Sequence, residues 1–219
     1  MHGTAGGGQG MHDPRAAPSR LARDYAFPLD QRPTLLWYHD HRMDFTAPAI
    51  WRGLAGLHIV RDDAEEALGL PSGPRELPLM IADRAFHADG TLAYPSLDPT
   101  LRREPGVEEP YLAGVLGDVI LVNGAPWPVH EVDAARYRLR VLNASNARHY
   151  ELEAVAEDGR RLDLIQVGAD QGLLAKRSAT APCRSHRPNA TTGSSTSPAS
   201  RSAGWSGSST GRGPGAPGT

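Results

Sequence analysis

The sequence predicts an all-β protein, a sandwich or barrel of short antiparallel strands, in a chain of 219 residues. Between residues 70 and 175, runs rich in branched and aromatic side chains recur at short intervals, which is typical of strands. Tyr137, Leu139 and Val141 alternate with arginines, so they place apolar side chains on one face of a strand. Hairpin turn signals separate such runs, and they are Asp89-Gly90, Asn123-Gly124 and Asp158-Gly159.

The strand candidates fall into two groups. The first group contains TLLWYHDHRM at 34–43 and LAGLHIVRD at 54–62. An acidic stretch, DDAEEALGLPSGP, follows and favours a linker with one short helical turn. The second group contains the runs ELPLMIADRAF, DVILVNGAPWPVHEV, YRLRVLNAS, HYELEAVAEDG and RLDLIQVGAD. We therefore predict one unit over 24–63, a linker at 64–69 and a second unit over 70–175.

The two ends of the chain differ in composition from its middle. Residues 1–23 are rich in Gly, Ala and Arg and show no helical or strand periodicity, which predicts disorder. Residues 176–219 carry 6 of the 23 basic residues, none of the 25 acidic residues, and no Ile, Leu, Val, Met, Phe or Tyr. Such a segment lacks the apolar surface to build a core, so we predict disorder there as well.

Composition argues against several classes of protein. The formal net charge of -2 gives no nucleic-acid footprint, and the basic residues of the tail are too dispersed to form a strong patch. The sequence contains no apolar run of about 18 residues, which a membrane-spanning helix would need. Residues 1–30 lack the apolar core of a secretory signal, which favours a cytoplasmic location by default. The single cysteine, Cys183, excludes an internal disulfide framework and a thiolate zinc cluster.

One motif is a candidate metal site, and it is Trp37-Tyr38-His39-Asp40-His41. In an extended strand, His39 and His41 project to the same side as Trp37, while Tyr38 and Asp40 project to the other. Neutral imidazole suits copper, zinc, iron and nickel, and copper binds such nitrogens most tightly. A His-x-His pair on a strand is also compatible with a surface or packing role. The pattern alone therefore leaves metal binding open.

The sequence around this motif resembles the multicopper oxidases, in the branch of bacterial spore-coat laccases and bilirubin oxidases. The resemblance covers roughly residues 24–175. Its clearest segments are WYHDHRMDFTAPAIWRGLAGLHIVRDDAE, LPSGPRELPLMIADRAF, GVLGDVILVNGAPWPVHEV, YRLRVLNASNARHYEL and VGADQGLL. It implies cupredoxin-like Greek-key domains, each an incomplete β-sandwich or barrel here. Residues 24–63 would be the C-terminal part of the first cupredoxin domain and 70–175 part of the second.

The resemblance implies copper as the cofactor. His39 and His41 match the family motif in which each histidine ligates a different member of the type 3 copper pair, and Asp40 would support the ligand strand by hydrogen bonding. The family's other three copper motifs have no match in this sequence, and Cys183 has no neighbouring histidine of the type 1 copper motif. The family oxidises phenolic or tetrapyrrole molecules and reduces dioxygen to water, which two imidazoles cannot do. We therefore expect a copper-binding fragment of a laccase-like enzyme that is inactive alone, with no catalytic residue of its own.

A second hypothesis comes from a different class of protein. In it, the chain is a free-standing, non-catalytic β-sandwich module that uses His39 and His41 for weak copper binding, or that meets a complementing chain. A two-domain laccase that completes its cluster by trimerisation would also need a His-Cys-His segment, so the sequence argues against that variant.

The composition of residues 176–219 has a specific interpretation. Read one base out of register, residues 182–192 permit the peptide LPLAPAERYD, and residues 193–198 permit a following VDF. The family continues at this point with a segment of the form LAPAERYDVxVDF. We interpret the tail as the out-of-frame product of a frameshift.

Three other side chains favour a structural role. Trp51 and Trp127 are predicted to pack in a core or between domains rather than to hold a substrate. His58, inside the second strand candidate, is predicted to pack or to face solvent rather than to bind a metal.

Overall fold

The computed structural model describes residues 26–101, 103–170, 172–180, 183–185, 190–195 and 203–208. Its α-helices are α1 (Thr46–Trp51) and α2 (Asp63–Glu66), and Gly73–Arg75 and Glu109–Tyr111 form 3₁₀ turns. Its strands are β1 (Thr34–His39), β2 (Ala55–Val60), β3 (Glu76–Phe86), β4 (Leu92–Ala93), β5 (Val119–Val122), β6 (Ala125–Pro126), β7 (Tyr137–Asn143), β8 (Tyr150–Ala156), β9 (Arg161–Leu162), β10 (Leu164–Ala169), β11 (Gly172–Thr180), β12 (Cys183–Ser185), β13 (Ala190–Ser195) and β14 (Ala203–Ser208). Over these ranges no helix has the length and apolar character needed to cross a membrane.

The strands form three sheets, which confirms the all-β prediction. β1 and β2 make an antiparallel hairpin, eight strands make a large sheet in the order β11-β10-β13-β7-β3-β5-β6 with β4 added to β3, and β12, β8, β14 and β9 make a sheet of four. Strand pairing is antiparallel as predicted except between β3 and β7, which are parallel. The expectation is wrong for that pair because a long connection between β3 and β7 returns the chain to the same end of the sheet, as a parallel pair requires.

The core lies between the large sheet and the sheet of four. Its buried side chains come from β3, β7 and β8, and they are Ile81, Tyr137, Leu139, Val141, Tyr150 and Leu152. The predicted alternation along β7 is therefore confirmed. Two sheets that bury their facing apolar side chains make a sandwich.

The other face of β7 carries Arg138 and Arg140, which are buried together with Glu65 and Glu76. With the more exposed Arg61 these side chains form what we call the arginine–glutamate cluster. Arg140 Nε lies 2.5 Å from Glu76 Oε1, and Arg140 Nη2 lies 2.7 Å from Glu65 Oε1. Arg138 also pairs with Glu65, and Arg61 Nη2 lies 2.5 Å from Glu76 Oε2. The cluster therefore ties the predicted linker to the large sheet.

The predicted turns are confirmed where glycine and asparagine accept a left-handed backbone. Asn123 and Gly124, with φ of 51° and 84°, connect β5 to β6. Gly90 and Gly159, with φ of 82° and 81°, lie in the turns from β3 to β4 and from β8 to β9. These conformations cost glycine little and other residues more.

The helical turn predicted in the acidic stretch is α2. The Asp62 side chain caps it by accepting the Glu65 N–H at 2.7 Å. The helix α1 was not predicted, because its six residues include Pro48 and show no helical periodicity.

The structure describes part of only one of the two segments that were predicted to be disordered. Residues 1–23 lie outside the described residues. Within 176–219, the described residues include β12, β13 and β14, and β13 lies between β7 and β10 in the large sheet. Strands β7 and β10 offer backbone groups that need partners, which favours pairing irrespective of side-chain composition.

Candidate metal centre

The two histidines of the motif lie at the end of β1. β1 ends at His39, so His41 falls beyond the strand. The centroids of the two imidazole rings are 5.5 Å apart, and their planes are inclined by 25°. The Trp37 ring lies 4.2 Å from the His39 ring, centroid to centroid. Trp37, His39 and His41 therefore form one row of rings, as the two-residue period predicts, although the strand is shorter than expected.

The base of this row packs on the second predicted domain. Trp37 and Leu57, from the β1–β2 hairpin, pack against a buried apolar group that contains Ala82 and Leu142 of the large sheet. The position of the histidine pair thus depends on contacts between the two predicted domains.

Tyr38 projects to the opposite side of the hairpin, also as predicted. It faces Gly56 on β2, and a Cβ at residue 56 would lie 2.4 Å from the Tyr38 hydroxyl oxygen. Glycine at this position therefore allows the tyrosine ring to lie across the neighbouring strand.

The backbone of Asp40 carries the hydrogen bonds of the motif. The Asp40 N–H donates to the Leu54 carbonyl oxygen at 3.2 Å. His39 Nδ1 lies 2.8 Å from the Asp40 carbonyl oxygen, and since a carbonyl only accepts, Nδ1 is the donor. The neutral His39 ring then has its lone pair on Nε2, the arrangement found in metal-binding histidines. In these contacts the supporting role predicted for Asp40 belongs to its peptide groups.

The surroundings favour a neutral His39. Partial burial lowers the pKa of His39, the hydrogen bond to the Asp40 carbonyl offsets part of that shift, and the charge of His41 lowers it again. Because metal ions bind the unprotonated ring, this environment favours ligation. His39 is half-buried and His41 is exposed.

The donors present fit part of a copper site. Two neutral imidazoles are nitrogen ligands of the kind that copper prefers. In the part of the chain that the structure describes, no three or more His, Cys, Asp or Glu side chains gather where they could hold a metal ion.

Apart from Trp51, the residues that hold the helix after the motif were not predicted from the sequence. Trp51, at the end of α1, is 1% exposed, which confirms its predicted packing role. Its ring lies 5.5 Å from the Tyr94 ring and 5.2 Å from the guanidinium carbon of Arg84. Arg84 is buried and donates to the Ile50 carbonyl oxygen at 2.8 Å. The available signal was a charged Asp83-Arg84 pair following the apolar run of β3.

The prediction is wrong for Trp127, whose side chain is 67% exposed. Its backbone has a φ of 41° and stands between Pro126 and Pro128, which restricts how the chain can turn the ring inward. His58 is half-buried on β2 opposite Leu36, a position that agrees with the predicted packing or surface role.

The chain is similar in sequence to laccases and to a bilirubin oxidase. It is 42% identical to the laccase of Bacillus subtilis over 153 residues, which cover 69% of this chain and 29% of that protein. It is 40% identical to the laccase of Haloferax volcanii over 148 residues, covering 67% and 23%. It is 38% identical to the bilirubin oxidase of Albifimbria verrucaria over 156 residues, covering 69% and 25%. The chain matches no protein-family model.

Solved structures show the same relationship. The McoA multicopper oxidase of Aquifex aeolicus has a TM-score of 0.64 and 30% identity, over 75% of this chain and 34% of that one. The laccase of Pediococcus acidilactici has a TM-score of 0.64 and 30% identity, over 76% and 33%. The fold is therefore the cupredoxin-like β-sandwich that the resemblance implied.

These similarities place the chain in the multicopper oxidase family. Within the family it is a partial laccase-like chain, since it spans between about a fifth and a third of the length of the relatives it matches. The multicopper oxidase homologues imply copper binding.

Proposed function

We propose that the chain supplies two ligands, His39 and His41, to the copper cluster of a laccase-like multicopper oxidase. Each histidine would bind a different ion of a type 3 copper pair. The observation that supports this most strongly is the row of rings, in which two imidazoles lie 5.5 Å apart at the end of β1. Two separate rings give one nitrogen donor to each of two ions.

The reaction proposed for the complete site is the oxidation of phenolic or tetrapyrrole molecules coupled to the reduction of dioxygen to water. Copper would supply the redox chemistry. The contribution of this chain is to hold the rings: Trp37 supports His39 from one side, and the Asp40 carbonyl fixes Nδ1 so that Nε2 is the ligand. The family's other three copper motifs have no match in this sequence, so we propose that the 219-residue chain alone does not turn over.

Copper titration of the purified chain tests the proposal. The full chain is titrated with Cu²⁺ and followed by electron paramagnetic resonance, in which each bound imidazole nitrogen splits the copper signal. We expect weak binding with nitrogen coupling that is reduced in His39→Ala and in His41→Ala and lost when both histidines are replaced. His87→Ala is the matched control, because His87 is exposed and follows β3, outside the motif.

Two results would contradict this proposal. Copper binding that is equally strong in His39→Ala, His41→Ala and His87→Ala would remove the histidine pair from the site. Full copper loading with oxidation of a phenolic dye would show that the chain is active alone. A third result would favour the non-catalytic module: copper binds through the histidine pair, but no turnover appears even after a complementing chain is added.

A further inference from the structure

The geometry points to Arg84 as a positioning residue for the histidine pair. From β3 it binds the backbone of α1, and α1 in turn positions the Asp40 backbone, whose carbonyl oxygen fixes the His39 ring. This inference rests on the proposed copper site and adds to it a residue from the second predicted domain.

Arg84 is buried, and its side chain is committed to backbone carbonyls. Nη1 donates to the Asp83 carbonyl oxygen at 2.7 Å, and Nη2 donates to the Ile50 carbonyl oxygen at 2.8 Å. In the part of the chain that the structure describes, no carboxylate lies within ion-pair distance of Arg84, and the charge of the neighbouring Asp83 offsets only part of the cost of its burial. The hydrogen bonds that the guanidinium makes therefore matter to its stability. One of those bonds reaches the last turn of α1.

A continuous set of hydrogen bonds leads from α1 to the histidines. The Ala49 carbonyl oxygen, one residue before Ile50, accepts the Leu54 N–H at 3.0 Å. The Leu54 carbonyl oxygen accepts the Asp40 N–H at 3.2 Å. The Asp40 carbonyl oxygen accepts Nδ1–H of His39 at 2.8 Å. A displacement of α1 therefore acts on the backbone of Asp40, whose carbonyl oxygen orients His39.

The second predicted domain holds both ends of α1. Asn146 Nδ2 donates to the Ala47 carbonyl oxygen at 2.9 Å, in the first turn. At the other end, Trp51 is buried against Tyr94 and under the Arg84 guanidinium. A helix of six residues is too short to be stable alone. The position of α1 is therefore set by these contacts.

Arg148 offers a matched comparison in the same region. Its Nε lies 2.8 Å from Asp83 Oδ2, and its Nη2 donates to the Gly117 carbonyl oxygen at 2.7 Å. Like Arg84, which belongs to β3, Arg148 is mostly buried, but its hydrogen bonds stay within the second predicted domain. Loss of Arg148 should lower stability without moving α1.

The experiment compares Arg84→Lys and Arg84→Met with Arg148→Lys and Arg148→Met in the full chain. The metal-free readout is the set of nuclear Overhauser effects between the ring protons of Trp37, His39 and His41. The second readout is the Cu²⁺ dissociation constant from competition with a chelator, and urea unfolding reports stability. We expect Arg84→Met to weaken the ring–ring effects and to raise the dissociation constant about tenfold, as loss of a group that orients a ligand does. Arg84→Lys should retain part of each, and the Arg148 variants should keep both values.

The outcomes separate this inference from the proposed function. If the Arg84 and Arg148 variants change both readouts equally at equal stability, Arg84 is a stability residue only and the inference is overturned. If the unchanged chain binds no copper, the proposed function fails, whereas the metal-free ring–ring effects still decide the role of Arg84. If Arg84→Met does not fold, Asn146→Ala removes the other hydrogen bond to α1 and should weaken the same ring–ring effects. Unchanged effects in Asn146→Ala and Arg84→Lys would then overturn the inference.

Discussion

Gly117 shows how closely single residues determine the packing of the second predicted domain. Its N–H donates to Asp83 Oδ2 at 2.8 Å, and its carbonyl oxygen accepts from Arg148. A Cβ at this position would lie 2.3 Å to 2.4 Å from backbone atoms of Arg84. The segment before β5 can therefore cross β3 only where it has no side chain.

Replacing Gly117 by alanine should lower the free energy of unfolding by about 2–3 kcal/mol, because backbone atoms on both sides would have to move. Urea unfolding measures the change. Gly53→Ala is the control: Gly53 has a φ of 86° and no atom within 4 Å of the added methyl, so its cost is backbone strain of about 1 kcal/mol. Equal losses in the two variants would show that the close approach at Gly117 is not the cause.

At the scale of residues, the histidine pair could be predicted from the sequence, but the contact of Arg84 with α1 could not. His39 and His41 could be placed on one side because their spacing matches the period of a strand, which is local information. Arg84 could not be assigned to α1, because its partner Ile50 is 34 residues away and a carbonyl oxygen carries no sequence signature. The metal role of the pair stays a prediction.

At the scale of elements, the arginine–glutamate cluster joins α2 to the large sheet. Glu76, in the first position of β3, accepts hydrogen bonds from Arg61 and Arg140. Burial alone would raise the pKa of Glu76, but the two arginines outweigh burial, and its pKa lies below the ordinary value. A cavity of about 510 Å³, lined in part by Arg61 and Glu65, lies beside the cluster.

This shift predicts how stability depends on pH. A carboxylate whose pKa is lower in the folded state stabilises the fold fully above its unfolded value, and that contribution is lost as the pH falls through the folded value. We expect Glu76→Gln to lose about 3 kcal/mol at pH 7, since it breaks a buried charge pair, and to flatten the fall in stability below pH 5. Urea unfolding between pH 3 and pH 7 measures both effects. The exposed Glu104, changed to Gln, is the control; a Glu76→Gln profile parallel to that of the control would contradict the prediction.

The elements that the sequence predicted best are those with strong local signals. The apolar alternation of β7 and the Asn123-Gly124 turn were sufficient to place strands and a hairpin. β13 carries only Ala, Thr, Gly and Ser, so its pairing comes from the neighbouring strands rather than from its own composition. The short helix α1 depends on the Arg84, Asn146 and Trp51 contacts, none of which has a sequence period.

At the scale of the whole molecule, the β1–β2 hairpin is a sheet of two strands separate from the two larger sheets. In the described ranges, β1 pairs with β2 alone and β2 with β1 alone, so each strand has an unpaired edge. Two-stranded sheets are marginally stable by themselves, and unpaired edges accept strands from other molecules. Near the end of β1 and the start of β2, three large apolar side chains are each at least half exposed: Tyr38, Met43 and Leu54.

We therefore predict that the purified chain associates through the hairpin at micromolar concentration, which sedimentation velocity over a range of concentrations would detect. The double variant Met43→Lys and Leu54→Lys places two charges beside the unpaired edges and should shift the chain toward monomer, because charge repulsion and the cost of burying lysine oppose strand addition. Val129→Lys is the matched control, since Val129 is 94% exposed and lies in the second predicted domain, away from the hairpin. Association that persists in the double variant but is lost in Val129→Lys would place the contact on the second domain. A chain that stays monomeric throughout would show that α1 and the packing of Trp37 on the large sheet protect the hairpin without any further strand.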